Sequence, residues 1–184
     1  GSTGYCYTDY AEENNARTIS YVARAALDDA SVDYTDEQKM VLFGFVGDGI
    51  ELDRLKEKVN KLNLSNVIFH GRKKLEEMPK YYSMADAMLV TLNGDSAVSS
   101  TVPGKVQTYM AAGKPIIGAI NGETKMVIEE ANCGFCGKAD DSKELAKNII
   151  NYIEYKDKNK LAENSYNYYN ENYKKEIFID KLIE

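Results

Sequence analysis

The segment Thr101-Val-Pro-Gly-Lys-Val-Gln-Thr-Tyr-Met-Ala-Ala-Gly-Lys-Pro115 concentrates most of the chemistry this chain offers. It reads as a loop, a helix opened by Pro103 and a helix stop at Gly113, with a short apolar strand from Ile116 to Ile120 directly after. Proline suits the first turn of a helix because the amide it lacks would be unpaired there. Ser99, Ser100 and Thr101 crowd the capping region, and Lys105 sits one turn in. Free amides, the positive end of the helix dipole and an ammonium group would then converge on one spot. That is the chemistry of a phosphate or diphosphate site.

Other residue groups are less specific. Gly47-Asp48-Gly49 follows an apolar run and opens a helical pattern. It is either a tight turn that lets backbone approach a ligand or a plain strand-to-helix turn capped by Asp48. It is not the G-x-G-x-x-G fingerprint, and the chain has no Walker A sequence. Gly71-Arg72-Lys73-Lys74 is a small basic cluster in an acidic chain, either a solvated loop or a set of nucleotide contacts. Cys133 and Cys136 have a metal-like or redox-like spacing, but only Cys6 and His70 could join them, so they read as core and surface cysteines. His70 is the single histidine, which leaves no Ser-His-Asp relay to assemble and assigns no catalytic residue. The chain has no Asp-x-Asp pair, so no carboxylate-held metal is expected.

The elements that must position these residues alternate. Apolar runs at Tyr5–Thr8, Met40–Val46, Val67–Phe69, Ala87–Leu92, Ile116–Ile120 and Gly134–Gly137 read as strands. Amphipathic stretches lie between them, through Arg17 to Leu27, Ile50 to Leu62, Leu75 to Met84, Glu123 to Ala131 and Ser142 to Tyr155, with one or two more helices from Asn159 to Glu184. This alternation predicts a single Rossmann-like α/β domain: a parallel, doubly wound sheet of about six strands flanked by helices. Ligands of such sheets sit beyond the C-terminal strand ends. The loops Gly47–Gly49, Gly71–Lys73 and Asn93–Lys105 all follow strands and should share that edge.

At 184 residues the chain fits one domain, and 43% hydrophobic residues make it ordinary globular material. Its net charge of −6 argues against a nucleic-acid surface. No run approaches the roughly 20 apolar residues of a membrane span, and the first residues lack the layout of a signal peptide. Three cysteines, an odd number, suggest no disulfide framework, and the expected compartment is cytoplasmic.

Taken in order, the motifs resemble a family. They are Phe-Val-Gly-Asp-Gly (45–49), Asn-Val-Ile-Phe-His-Gly (66–71), Met-Pro-Lys-Tyr-Tyr-Ser-Met-Ala-Asp-Ala (78–87), Thr-Val-Pro-Gly-Lys (101–105), Tyr-Met-Ala-Ala-Gly-Lys-Pro-Ile (109–116) and Val-Ile-Glu-Glu-Ala-Asn-Cys-Gly (127–134). This order resembles the C-terminal, nucleotide-sugar-binding domain of GT-B glycosyltransferases of the family-four group. The nearest look is to bacterial surface-polysaccharide enzymes, including the colanic-acid type. The match covers residues 40–150 well and the first 39 loosely.

The resemblance implies retaining transfer of a sugar from a nucleotide diphosphate donor to a glycan or lipid-linked acceptor, with no bound metal and no cofactor. It maps the base onto Gly71, Arg72 and Lys73, and it places Gly47, Asp48 and Gly49 near the donor. It lays the diphosphate against Thr101, Val102, Pro103, Gly104 and Lys105. The family's paired glutamates fall on Ser100 and Thr108, which could still bond a sugar and a ribose hydroxyl but carry no charge. Its Arg and Lys after the first strand have no counterpart among Asp9 to Asn15, which would leave the diphosphate charge to Lys105.

By the same resemblance, residues 1–184 form the donor-binding half, with 159–184 as C-terminal helices, and the N-terminal acceptor domain with its histidine is absent. The chain alone is then expected to be inactive, with room for a peripheral contact at the inner membrane face through the full-length enzyme. The alternatives are a non-catalytic nucleotide-sugar-binding or scaffold module of the same fold, and a GT-B-like epimerase.

Overall fold

A computed structural model of the chain describes residues 3–8, 18–21, 41–64, 66–92, 101–174 and 177. Among these residues the strands are β1 (Thr3–Thr8), β2 (Thr18–Tyr21), β3 (Leu42–Phe45), β4 (Val67–Phe69), β5 (Met88–Thr91), β6 (Ile116–Ala119) and β7 (Gly134–Gly137). The helices are α1 (Leu52–Lys61), α2 (Met78–Met84), α3 (Gly104–Ala111), α4 (Glu123–Glu130), α5 (Ser142–Glu154) and α6 (Lys158–Asn172). A 3-10 turn at Leu75–Glu77 leads into α2, which carries Pro79 in its first turn.

The strands pair in the orders β2-β1-β3-β4 and β5-β6-β7, and β5 lies close to β1 and β2. All neighbours are parallel except β1 and β2. Among the described residues the hydrogen-bonded ladders fall into two sheets with seven strands in all, in keeping with the parallel, helix-flanked α/β arrangement that was expected. One expectation is corrected here. The helix expected through Arg17 and Ile19 is instead the strand β2 over Thr18–Tyr21, antiparallel to β1. Thr18, Ile19 and Tyr21 are β-branched or aromatic types that favour extended backbone, and pairing to β1 satisfies that strand's second edge. The remainder of that expected helix, and most of the expected tail beyond Asn172, lie outside the described residues.

Burial along the whole of β6 and nearly all of β5 shows why these strands are covered on both faces. Met88, Val90, Ile116 and Ile120 belong to one buried cluster with Val106, Tyr109, Met110, Val127 and Ile128, the layer of α3 and α4. Leu89 and Ile117 point the other way, into a cluster with Phe43, Phe45, Ile149, Tyr152 and Leu161, the layer of α5 and the first turn of α6; farther along, α6 packs on α3, with Tyr168 and Tyr169 against the first cluster. Successive side chains of a strand point to opposite faces, so a fully apolar run needs helices on both. Each large side chain so buried stabilises the fold by about 1.5–3 kcal/mol.

Two polar links anchor the helices. Ser165 of α6, fully buried, donates its hydroxyl to the Lys114 carbonyl at 2.8 Å. Lys114 donates its ammonium to the Ala85 carbonyl at 2.8 Å, just past the end of α2, and burial holds its pKa below the ordinary lysine value despite the nearby Asp86. Cys133 lies in the core and Cys136 is half-buried; both are free thiols, and burial pushes each up to about 12.

Candidate functional site

The two glycine turns expected to lie near a ligand meet each other. Strands β3 and β4 pair in parallel, with Phe45 opposite Phe69, so the residues after them leave on the same side. The Gly47 amide donates to the Gly71 carbonyl at 2.9 Å, and the His70 amide donates to the Phe45 carbonyl at 2.7 Å. Gly47 has φ 141° and Gly71 φ 65°, backbone conformations that favour glycine. A Cβ at Gly71 would meet nothing within 4 Å, so conformation rather than space calls for glycine there. Across the paired turns, the exposed Arg72 guanidinium stands 3.7 Å from the Asp48 carboxylate. Gly49 is buried.

Sequence reasoning missed what holds the second turn. The Lys73 ammonium lies over the Tyr81 ring, 5.8 Å from its centre, and the His70 ring meets the same tyrosine edge-on at 5.4 Å. Tyr82, next along α2, packs edge-on against buried Tyr109 of α3 at 5.9 Å. Helix α2 therefore braces the basic turn with one tyrosine and α3 with the next. Burial, and then the charge of Lys73, hold the His70 pKa below its ordinary value of 6.5.

That shift has a direction in stability. Neutral His70 is favoured in the folded chain, so its contribution is present above pH 6.5 and is lost as pH falls through the lower folded pKa. Thermal melts between pH 7.5 and 5 are expected to show falling stability, and His70→Gln is expected to flatten that slope. An unchanged slope would mean that carboxylates alone set it.

The third segment is the start of α3. The helix begins at Gly104, with Pro103 at the cap (φ −58°, ψ 140°) and no side chain capping it. Pro103 thus stands one place before the first turn in which it was expected. Val102 packs against the cluster that contains Val106 of α3 and Val46, the residue before Gly47. A shared core therefore joins this helix start to the first glycine turn. Lys105 is half-buried, with its ammonium nitrogen shielded from solvent. Exposed Thr108 donates its hydroxyl to the Gly104 carbonyl at 3.0 Å, inside its own helix. Thr101 is exposed. Ser100, together with residues 93–99, lies outside the described residues.

Fully buried Thr124, in the first turn of α4, was not anticipated either: its hydroxyl donates to the Thr101 carbonyl at 3.1 Å. The sequence signal was present in Gly122-Glu123-Thr124, a second strand-to-helix turn of the kind seen at Gly47–Gly49. Among the described residues, no three His, Cys, Asp or Glu side chains group to hold a metal ion. No helix among them is long and apolar enough to cross a membrane.

Comparison with known proteins identifies the family and the fold. The model of the family "Glycosyl transferases group 1" matches residues 11–172. The chain is 30% identical over 109 residues to a probable glycosyltransferase of Pseudomonas aeruginosa, WbjE, covering 58% of this chain and 27% of that protein. Its fold is similar to that of Anabaena HepE in complex with UDP and glucose, with TM-score 0.61, 25% identity, and coverage of 76% of this chain and 38% of HepE. It is also similar to sucrose-phosphate synthase of Thermosynechococcus elongatus, with TM-score 0.58, 21% identity, and coverage of 76% and 36%. The chain therefore spans about a quarter of the curated relative and under two fifths of these solved structures.

Proposed function

The chain belongs to the group 1 family of glycosyltransferases, and from that we propose that it is the donor-binding domain of a retaining enzyme. The enzyme would move a sugar from a nucleotide diphosphate sugar to a glycan or lipid-linked acceptor in surface-polysaccharide synthesis, in the cytoplasm or at the inner membrane face. One observation carries the reading. The Gly47–Gly49 and Gly71–Lys73 turns are bonded to each other, and a common core ties them to the uncapped start of α3. HepE, of the same fold, has been seen with UDP, with UDP and glucose, and with UDP-glucose.

The proposed division of labour follows from charge. Gly71, Arg72 and Lys73 would face the base, and Gly47, Asp48 and Gly49 would lie beside the donor. The diphosphate would lie at Thr101 to Lys105, where helix amides, the dipole and an ammonium favour an anion. As the glycosidic bond breaks, negative charge grows on the departing diphosphate, and fixed positive groups there lower the barrier. Ser100 and Thr108 would bond the sugar and ribose hydroxyls. Transfer also needs an acceptor held against the donor, a task for the acceptor domain and histidine that the resemblance implies for the rest of the protein.

A second reading, a donor-binding module without catalysis, draws on Thr108: an uncharged hydroxyl, already bonded inside its helix, stands where the resemblance implies a carboxylate. Both readings require donor binding. Calorimetry with UDP is expected to show binding that persists in EDTA, because Lys105 and the helix amides supply the positive charge. Loss of binding on chelation would overturn the metal-free site, and no binding in either buffer would overturn both readings.

A further inference from the structure

We infer that Thr124 is a positioning residue that aims the segment 101–105 at an anionic ligand, an inference that rests on the donor reading above. Thr124 has no exposed surface, and its hydroxyl donates to a carbonyl 23 residues earlier, that of Thr101, at 3.1 Å. A hydroxyl taken fully out of water needs a partner, and a backbone carbonyl can supply it. Here each satisfies the other across two elements.

The geometry of the donor is set by its own turn. Gly122, at the cap of α4, has φ 73° and ψ −149°, a region almost reserved for glycine. The chain leaves β6, turns sharply at Gly122 and starts α4, which brings Thr124 under the approach to α3. That approach is then held at two consecutive residues: Val102 by the apolar cluster and Thr101 by the hydroxyl. In a trans peptide the N–H points opposite to the C=O. Fixing the Thr101 carbonyl against α4 therefore aims the Val102 amide away from α4 and sets the path into Pro103. Without the hydroxyl this peptide plane can rotate, and an anion at the helix start would meet a carbonyl where it now meets none held toward it.

The test compares the wild-type chain with Thr124→Val, which keeps the shape and removes the donor, and with Thr124→Ser, which restores it. UDP and uridine affinities are measured by calorimetry alongside thermal melts. Thr124→Val is expected to weaken UDP by roughly threefold to tenfold, the size of one net hydrogen bond, with uridine affinity unchanged and UDP affinity recovered in Thr124→Ser. If the valine variant does not fold, Thr124→Cys, close in size with only a weak donor, carries the same expectation. Wild-type UDP affinity in the folded variant would overturn the inference, as would equal weakening of UDP and uridine. Failure of the wild-type chain itself to bind UDP would instead bring down the donor reading and this inference with it.

Discussion

Gly134→Ala is expected to lower the melting temperature by roughly 6–12 °C, the largest stability change foreseen for any single methyl group in this chain. Strand β7 pairs with β6 so that Gly134 stands opposite Ile116. A Cβ at Gly134 would fall 1.7 Å from the Ile116 carbonyl oxygen, 2.7 Å from its carbon and 2.9 Å from its nitrogen. All three are backbone atoms, so no side chain can swing aside, and β7 would have to part from β6. Overpacking of this kind costs about 3 kcal/mol at the upper end of its usual range, and each kcal/mol moves the midpoint of a domain this size by about 2–4 °C. Gly104→Ala is the control, because a Cβ there meets nothing within 4 Å, and it is expected to leave the melt unchanged or slightly raised. A Gly134→Ala variant that melts with the wild type would show that β6 and β7 do not pair in this register.

Lys105→Ala is expected to weaken UDP by about tenfold to hundredfold while leaving uridine nearly untouched. A charge-assisted hydrogen bond contributes roughly 1.5–3 kcal/mol, and the shielding of the Lys105 nitrogen from solvent would strengthen its pull on a diphosphate. Lys105→Arg keeps the charge and should retain part of the affinity, less than lysine does, because a planar fork does not replace a point charge in a confined space. Equal losses for UDP and uridine would assign Lys105 to the fold alone. The two ligands differ only in the diphosphate, so the comparison isolates the group that the lysine would hold.

Much of the framework was legible because local signals agreed. Val67–Phe69 and Gly134–Gly137 form strands over the residues expected, each a short run between turn-forming neighbours. Helix α5 begins at Ser142 behind Asp141, whose carboxylate accepts the Lys143 and Glu144 amides at 3.0 and 2.9 Å, a cap that can be read in the sequence. Residues 18–21 were misread because Ile19, Val22 and Ala26 fit a helical period, while the strand depends on pairing with β1. That pairing is a long-range event which periodicity does not record.

The candidate site divides in the same way. Its turns were legible, since each follows a strand. Its supports were not: Tyr81 beneath Lys73, Tyr82 against Tyr109, and Thr124 on Thr101 are contacts between elements, and their spacing follows no period.

The two-faced burial of β5 has a further consequence for how that strand keeps its place. Moving a strand by one residue exchanges the side chains on its two faces. In a half-exposed strand such a slip would drive polar groups inward and be rejected at once. Met88, Leu89 and Val90 are all apolar and fully buried, so polarity cannot tell the correct alignment from its neighbour. Shape and the strand's margins must do so. The Met88 amide donates to the Pro115 carbonyl at 2.8 Å, and the Leu92 amide donates to the Ala119 carbonyl at 3.2 Å. The Tyr152 hydroxyl, from α5, donates to the Asp86 carbonyl at 2.9 Å, just ahead of the strand. These end bonds act as stops. They hold in step a strand whose own apolar residues would tolerate sliding.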